Sequence, residues 1–295
     1  MRRLTVLSVV LVIAGAGLIV AAVTGAFDGG DDAPAAALKV DRFNRDRAFG
    51  DLRYQVELGP RPAGSDTARE LAQWLSDRLP RGRIATVSGG WQNVVGSIPG
   101  RGKPILVAAH YDTKDLPGFV GANDGAGGTA AVLEIARALQ KAKRPSTAPP
   151  IRFVLFDGEE SPDDSQDFYS TGLRGSRPYA RKHAKKLRAM ILLDFVAEKG
   201  NMQIPREQTS YLGLWRQLRS AAKKVGSLSV FPDATAGGVV DDHTPFLRRG
   251  LPAINLIDFT FDCWHKTCDD MTAVSARSLD LVGEAVVQML LDFKQ

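Results

Sequence analysis

The sequence predicts one α/β domain built on a central, largely parallel mixed sheet flanked by helices. Three observations point there: short, almost wholly apolar runs, amphipathic stretches between them, and a polar cluster at the end of each apolar run. An apolar run of roughly four to eight residues suits a strand covered on both faces, and strands alternating with helices favour parallel connections. The globular pattern begins near Phe43 and continues without internal repeat, so a single catalytic-sized domain is expected over 43–295.

Ahead of that domain, Leu4 to Phe27 carries no charged side chain, and Arg2 and Arg3 precede it. An uncharged stretch of about 20 residues is long enough to span a bilayer, whereas a signal-peptide core runs about 7–15. Residues 1–27 are therefore expected to be a signal-anchor, single-pass in the cell membrane, with the rest of the chain extracytoplasmic. Cleavage at the small residues 22–26, giving a secreted protein, is the alternative. Residues 28–42 read as a flexible stalk. Thr67–Leu79 has helical spacing and is closed by Pro80; Ile84–Ser88 and Trp91–Ile98 read as strands joined at Gly89-Gly90. The buried strands follow as Pro104–Ala109, Ile151–Phe156, Met190–Phe195 and Ala253–Ile257. Helices are expected over Gly127–Lys143, Ser210–Val225 and Ala273–Phe293.

The formal charge of +5 falls to +3 when Arg2 and Arg3 are set aside. The other Lys and Arg are spread along the sequence, which excludes a nucleic-acid footprint. The run Arg181-Lys182-His183-Ala184-Lys185-Lys186 reads as a solvated helix face. Only two cysteines occur, Cys263 and Cys268; outside the cytoplasm so close a pair is expected to form a disulfide, and too few thiols exist for a zinc–thiolate site.

In sheets of this kind, functional residues gather beyond the C-terminal strand ends. Here Pro104–Ala109 runs into His110-Tyr111-Asp112, Ile151–Phe156 into Asp157-Gly158-Glu159-Glu160, and Met190–Leu193 into Asp194. Gly121–Gly128 (GANDGAGG) precedes a helix, and Ala253–Ile257 leads within ten residues to Trp264-His265. Imidazole and carboxylate are what a catalytic zinc accepts, so His110, Asp124, Glu160, Asp194 and His265 are the candidate metal ligands. Taken singly, each is as well explained by a core histidine or a capping aspartate; together at one sheet edge they are not. Asp112 is placed to hold the second nitrogen of His110, Asp124 also to cap the following helix, and Glu159 to act as general base or acid beside a metal.

These motifs resemble those of the zinc aminopeptidases with a co-catalytic metal pair, and of the glutaminyl-peptide cyclotransferases that share their fold. The resemblance rests on HYD (110–112), GANDGAGG (121–128), FDGEE (156–160), LLD (192–194), DDHTPFLRRGLPAINLI (241–257) and WHKTCDD (264–270), and covers roughly 45 to 293. It implies a zinc-exopeptidase-like fold, Asp124, Glu160 and His265 as core zinc ligands, and Glu159 as proton shuttle. His110 and Asp194 would hold a second zinc in the peptidase branch. DDHTPFLRRG and Trp264 look closer to the cyclotransferases, in which one zinc suffices, Asp194 and Asp241 are catalytic and share a proton-mediated contact, and Trp264 forms a pocket wall. Substrates would be peptide or protein N-termini. Asn255 departs from the pattern, standing where the cyclotransferases have His, and an insert at 161–167 disturbs the region of an aromatic pocket residue, for which Phe168 or Tyr169 could substitute. The expectations are thus a cyclotransferase, a two-zinc aminopeptidase hydrolysing N-terminal residues, or a tethered ectodomain that has kept the fold and lost catalysis.

Overall fold

A computed structural model describes residues 37–162 and 165–293; the expected signal-anchor lies outside the described residues, as does most of the stalk. Among the described residues no helix is long and apolar enough to cross a membrane. The described residues form eight strands and eight α-helices: α1 Arg45–Glu57, α2 Asp66–Arg78, β1 Arg83–Thr86, β2 Gln92–Ile98, β3 Ile105–His110, α3 Gly128–Lys141, β4 Ile151–Phe156, α4 Phe168–Thr171, α5 Ser176–His183, β5 Ala189–Leu193, β6 Arg206–Glu207, α6 Leu212–Val225, β7 Thr235–Ala236, α7 Thr244–Leu247, β8 Ala253–Leu256 and α8 Ala276–Asp292. Six strands form one mixed sheet in the order β1-β2-β4-β3-β5-β8, and β6 pairs with β7 alone.

The four apolar runs are the parallel core, with β3 paired to β4 and β5, and β5 to β8. Side chains alternate across a strand, and β3 shows the consequence: Ile105, Val107 and Ala109 join the core under α1, α3, α6 and α8. Leu106 and Ala108 join a smaller core with Tyr179 of α5 and Phe246 of α7. Both faces are covered, which is why these strands are apolar until they end, apart from Arg152 in β4 and Asn255 in β8. The hairpin β1–β2 extends the sheet antiparallel and turns at Gly89 and Gly90, whose φ of 97° and 86° suit glycine.

Local chemistry fixes the helix ends. Asn44, Ser65 and Ser275 accept from the first turns of α1, α2 and α8, and Gly226 in left-handed conformation closes α6. The helix α1, which the sequence pattern did not announce, is weakly amphipathic; it is fixed by Arg47, whose guanidinium grips the buried Glu134 of α3 at 2.6 and 2.7 Å. Lys39 N–H donates to Val225 O at 2.8 Å, and the Arg42 side chain donates to Gln288 of α8 at 2.7 Å. The packed chain thus starts before residue 43, and the last residues of the expected stalk are docked. The described residues belong to one compact unit.

Candidate metal centre and cavity

The parallel strands end together, and the residues that follow them meet. His110, the last residue of β3, is buried; its Nδ1 donates to the main-chain carbonyl of Asp112 at 3.1 Å. That bond fixes the tautomer and leaves Nε2 free to coordinate. The Asp112 carboxylate was expected in this role. It lies 3.5 Å from Nδ1, an ion-pair partner of the imidazole as expected, and it also accepts the backbone N–H groups of Glu159 and Glu160 at 3.1 and 3.2 Å. Asp112 therefore holds His110 through its backbone carbonyl and its carboxylate, and the Glu159-Glu160 turn through the same carboxylate.

Residues Ala122–Gly127 form a kinked turn in which Asp124 (φ −81°, ψ 97°) and Gly125 (φ 94°) leave helical geometry. A Cβ at Gly125 would stand 2.9 Å from Asp112 O and 3.3 Å from His110 Cε1, so only glycine lets this backbone pass the imidazole. Asp124 does not cap α3, which starts without a side-chain cap. The turn is pinned from outside: Asp269, fully buried, accepts from Asn123 N at 2.7 Å and Asp124 N at 3.0 Å.

The result is two clusters sharing Asp124. In one, His110 Nε2 lies 3.2 Å from Asp124 Oδ1 and 3.4 Å from Asp194 Oδ1. In the other, His265 Nε2 lies 3.2 Å from Glu160 Oε1 and 3.6 Å from Asp124 Oδ2. All five candidate ligands are thus brought together, and Asp124 turns one oxygen to each side. Buried His110 Nε2 and Asp124 Oδ2 have no hydrogen-bond partner, a costly state for atoms that nothing coordinates. Nitrogen and carboxylate donors in open threes are what zinc takes, so the residues present fit the metal. His265 comes from a loop, has φ 52°, and sits inside the expected Cys263–Cys268 disulfide, which is formed.

Glu159 belongs to neither cluster. It lines, with Asp124, Glu160, Asp194 and Asp241, a cavity of about 710 Å³. Burial pushes its carboxyl well above the usual range, and Glu160, Asp241 and Asp242 add to this against the pull of His110. Burial raises Glu160 and Asp194 to about 7 each, with Asp124 adding to both. His110 and His265 are raised in turn, because their carboxylate partners outweigh burial.

The cavity wall is completed by Trp264, half exposed at the rim, whose ring lies 4.6 Å from His265 and 5.0 Å from Phe259. Of the two aromatics considered after the insert, Phe168 lines the cavity; Tyr169 stacks under Arg248 instead, 3.5 Å from its guanidinium carbon. The departure at Asn255 has a structural answer: its Nδ2 donates to Asp241 Oδ2 at 2.7 Å. No hydrogen bond joins Asp194 to Asp241 among the described residues; Asp241 acts on Asp194 through its charge, helping to raise it. Two residues that the pattern did not single out also matter. Asp269 is hidden in an acidic pair, and Glu207, on the cavity wall, is buried beside His243 at 3.5 Å. Burial raises Glu207, but His243 and Thr209 outweigh it and bring it to about 2.

The profile of peptidase family M28 matches residues 93–290, a span that runs from β2 to the last turns of α8 and includes every ligand candidate. The chain belongs to family M28. Within and around that family it is 28% identical to the glutaminyl-peptide cyclotransferase of Bos taurus, over 82% of this chain and 80% of the relative. Among solved structures it is similar to the glutaminyl cyclase of Porphyromonas gingivalis (31% identity, TM-score 0.74, covering 85% of this chain and 99% of the other). It is also similar to a leucine aminopeptidase precursor from Bacteroides thetaiotaomicron (25% identity, TM-score 0.78, covering 88% and 100%). The expected α/β architecture and family are therefore both found, and M28 membership accounts for the shared fold of the two kinds of enzyme.

Proposed function

We propose that this protein is a zinc-dependent glutaminyl-peptide cyclotransferase that converts N-terminal glutamine of peptides into pyroglutamate and releases ammonia. The observation that carries this reading is Asp241. It lines the cavity beside Glu159 and Asp194, is held by Asn255, and belongs to neither ligand cluster. Hydrolysis by a metal pair needs ligands and one base, which Glu159 alone would supply. Cyclisation must take a proton from an amine and return one to a departing amine, and a row of carboxyls sharing protons serves that end. Similarity to the bovine cyclotransferase and the bacterial cyclases supports the same reading.

Asp124, Glu160 and His265 would hold the zinc, which when bound polarises the substrate's side-chain amide carbonyl. The substrate α-amine nitrogen bonds to the side-chain carbonyl carbon, and the bond from that carbon to the amide nitrogen breaks. Glu159 takes the proton from the α-amine and gives it to the leaving nitrogen, so no water is consumed. Its raised affinity for a proton, set by burial and by Asp241 and Asp242, makes it a competent carrier in both directions. Trp264 and Phe259 at the rim would hold the apolar part of the N-terminal residue. Intramolecular attack needs chiefly orientation, which the walls of the cavity would supply.

The second reading, a two-zinc aminopeptidase, is favoured by one observation: His110 and Asp194 form a complete second cluster with Asp124. Incubating the zinc-loaded protein with a glutamine-initiated peptide separates the two by mass. A product lighter by one ammonia supports cyclisation; a product lacking its first residue overturns it in favour of hydrolysis. An extracytoplasmic placement, tethered by residues 1–27, is proposed alongside, on the sequence pattern alone.

A further inference from the structure

Lysines and arginines that are scattered along the sequence converge in space. The loops leading into the four parallel strands are 99–104, 142–150, 184–188 and 248–252. They hold nine Lys or Arg and no Asp or Glu. The segments leaving the same strands, 111–124, 157–167, 194–200 and 257–270, hold fifteen Asp or Glu and three Lys. Parallel strands place all entrances at one edge and all exits at the other, so the domain is basic at one end and acidic at the catalytic end. The basic loops touch: Arg188 N–H donates to Pro104 O at 2.9 Å, Lys103 Nζ to Lys185 O at 3.1 Å, and Arg101 N–H to Ala148 O at 2.9 Å.

None of these nine side chains makes an ion pair among the described residues. Arg81, Arg101 and Arg144 line a groove of about 910 Å³ at this end, and Arg144 Nε is buried there without a partner. The field is felt by His183, which burial first and then Arg152, Lys182, Lys186 and Arg83 depress to about 4. The chain also enters the domain here. Lys39 bonds to Val225; the adjoining Lys224 meets Asp292 at the end of α8 at 2.7 Å; and Phe293 lies under Arg188. Eleven residues separate Phe27 from Lys39, a reach of at most about 40 Å.

We propose that this basic end is a docking face for an anionic lipid surface, which holds the domain with its cavity directed away from the bilayer. The occupant is argued from charge and from the point of chain entry: the apolar segment expected to insert in the membrane joins the domain on the face that would meet the headgroups. Phosphate-bearing headgroups attract clustered Lys and Arg within about a Debye length, and salt weakens that attraction.

The test uses the compact unit from Asp31 onward, which lacks the apolar segment, so that insertion cannot mimic docking. Sedimentation with vesicles of phosphatidylcholine and phosphatidylglycerol should carry the protein down at low salt. Vesicles of phosphatidylcholine alone, or high salt, should not. Lys143→Glu combined with Lys185→Glu and Lys186→Glu, all exposed positions outside the cavity, should weaken vesicle binding about tenfold or more, with melting temperature and peptide turnover unchanged. Wild type that ignores anionic vesicles, or a triple variant that binds them as well as wild type, overturns the proposal. So does tighter binding to duplex DNA than to the vesicles at equal salt. The readout is vesicle binding, so the outcome is the same whichever reaction the cavity performs.

Discussion

Removing the Asp269 side chain tests how the metal centre is held, since Asp269 touches no proposed ligand side chain. It is fully buried and accepts the backbone N–H groups of Asn123 and Asp124. In Asp269→Ala both donors lose their acceptor where no water takes its place, at about 1–3 kcal/mol each. The expected loss is about 2–6 kcal/mol, against a total stability of roughly 5–15 kcal/mol. For a domain of this size each kcal/mol moves Tm by about 2–4 °C, so a drop of about 4–24 °C is expected. Asp269→Asn keeps one acceptor oxygen and should lose about half as much. Because Asp124 faces both clusters, loosening its backbone should also weaken zinc binding about tenfold or more. Thermal denaturation with a chelator present, followed by zinc titration of the folded variants, reads both effects. An alanine variant that melts like wild type and binds zinc as tightly would refute the assignment of Asp269 as the pin of the Asp124 turn.

Glu159→Gln should retain zinc and lose turnover by about 10²–10⁴-fold, since an amide cannot carry the proton; metal analysis beside a rate assay checks it, and loss of zinc would contradict its place outside both clusters. In the chelated protein, Glu160, Asp194 and Asp269 are each raised to about 7. Their folded values exceed the unfolded ones, so the native state holds more protons, and this contribution to stability is present below about pH 4 and lost as pH rises through about 7. Tm measured with chelator should therefore carry a component falling between about pH 4 and 7, which zinc suppresses, and zinc affinity should rise over the same range as those protons are displaced. Cys263→Ser with Cys268→Ser should weaken zinc binding about tenfold: His265 is held at φ 52° inside the bridged loop, and left-handed backbone outside glycine costs about 1–3 kcal/mol unless its surroundings impose it.

The four parallel strands were legible because their chemistry is local. A strand buried on both faces must be apolar throughout, and the residue at which that pattern breaks, His110 or Asp194, is where the edge of the sheet lies. The same logic pointed to His110, Glu160 and Asp194 as candidate ligands, whereas Asp124 and His265, in a turn and a loop, were marked only by the motifs around them. What stayed hidden depended on partners distant in sequence. Helix α1 has a weak apolar stripe and is fixed by Arg47 reaching Glu134, 87 positions away. Asp112 was assigned to His110 because the two are close in sequence, and they do pair, but its carboxylate also holds the Glu159-Glu160 turn 47 and 48 positions away. Asp269 looked like half of an ordinary acidic pair. The scattered lysines and arginines appeared unclustered because clustering at the strand entrances is a property of parallel topology rather than of neighbouring positions.

The concentration of buried carboxylates at the catalytic end bears on why a cation belongs there. Asp112, Asp124, Glu159, Glu160, Asp194, Asp241, Asp242 and Asp269 are all buried. Cations near them are few. Arg61 is fully buried, but its guanidinium donates to the carbonyls of Gln55, Gly59, Val120 and Gly121 rather than to a carboxylate. Burial lowers it to about 10, although Asp269, Asp112 and Asp124 pull the other way. Lys114 comes within only 4.0 Å of Glu160. Carboxylates gathered in a low dielectric repel one another and keep protons that water would remove. A divalent ion bound by Asp124, Glu160 and His265, as proposed, would exchange those protons for a fixed charge, so that repulsion among the carboxylates becomes affinity for the metal. Glu159, adjacent in sequence but outside the ligand clusters, stays free of the ion and available for the proton transfer proposed for it. One crowded edge of the sheet can thus supply both a metal site and a proton carrier from neighbouring residues of a single turn.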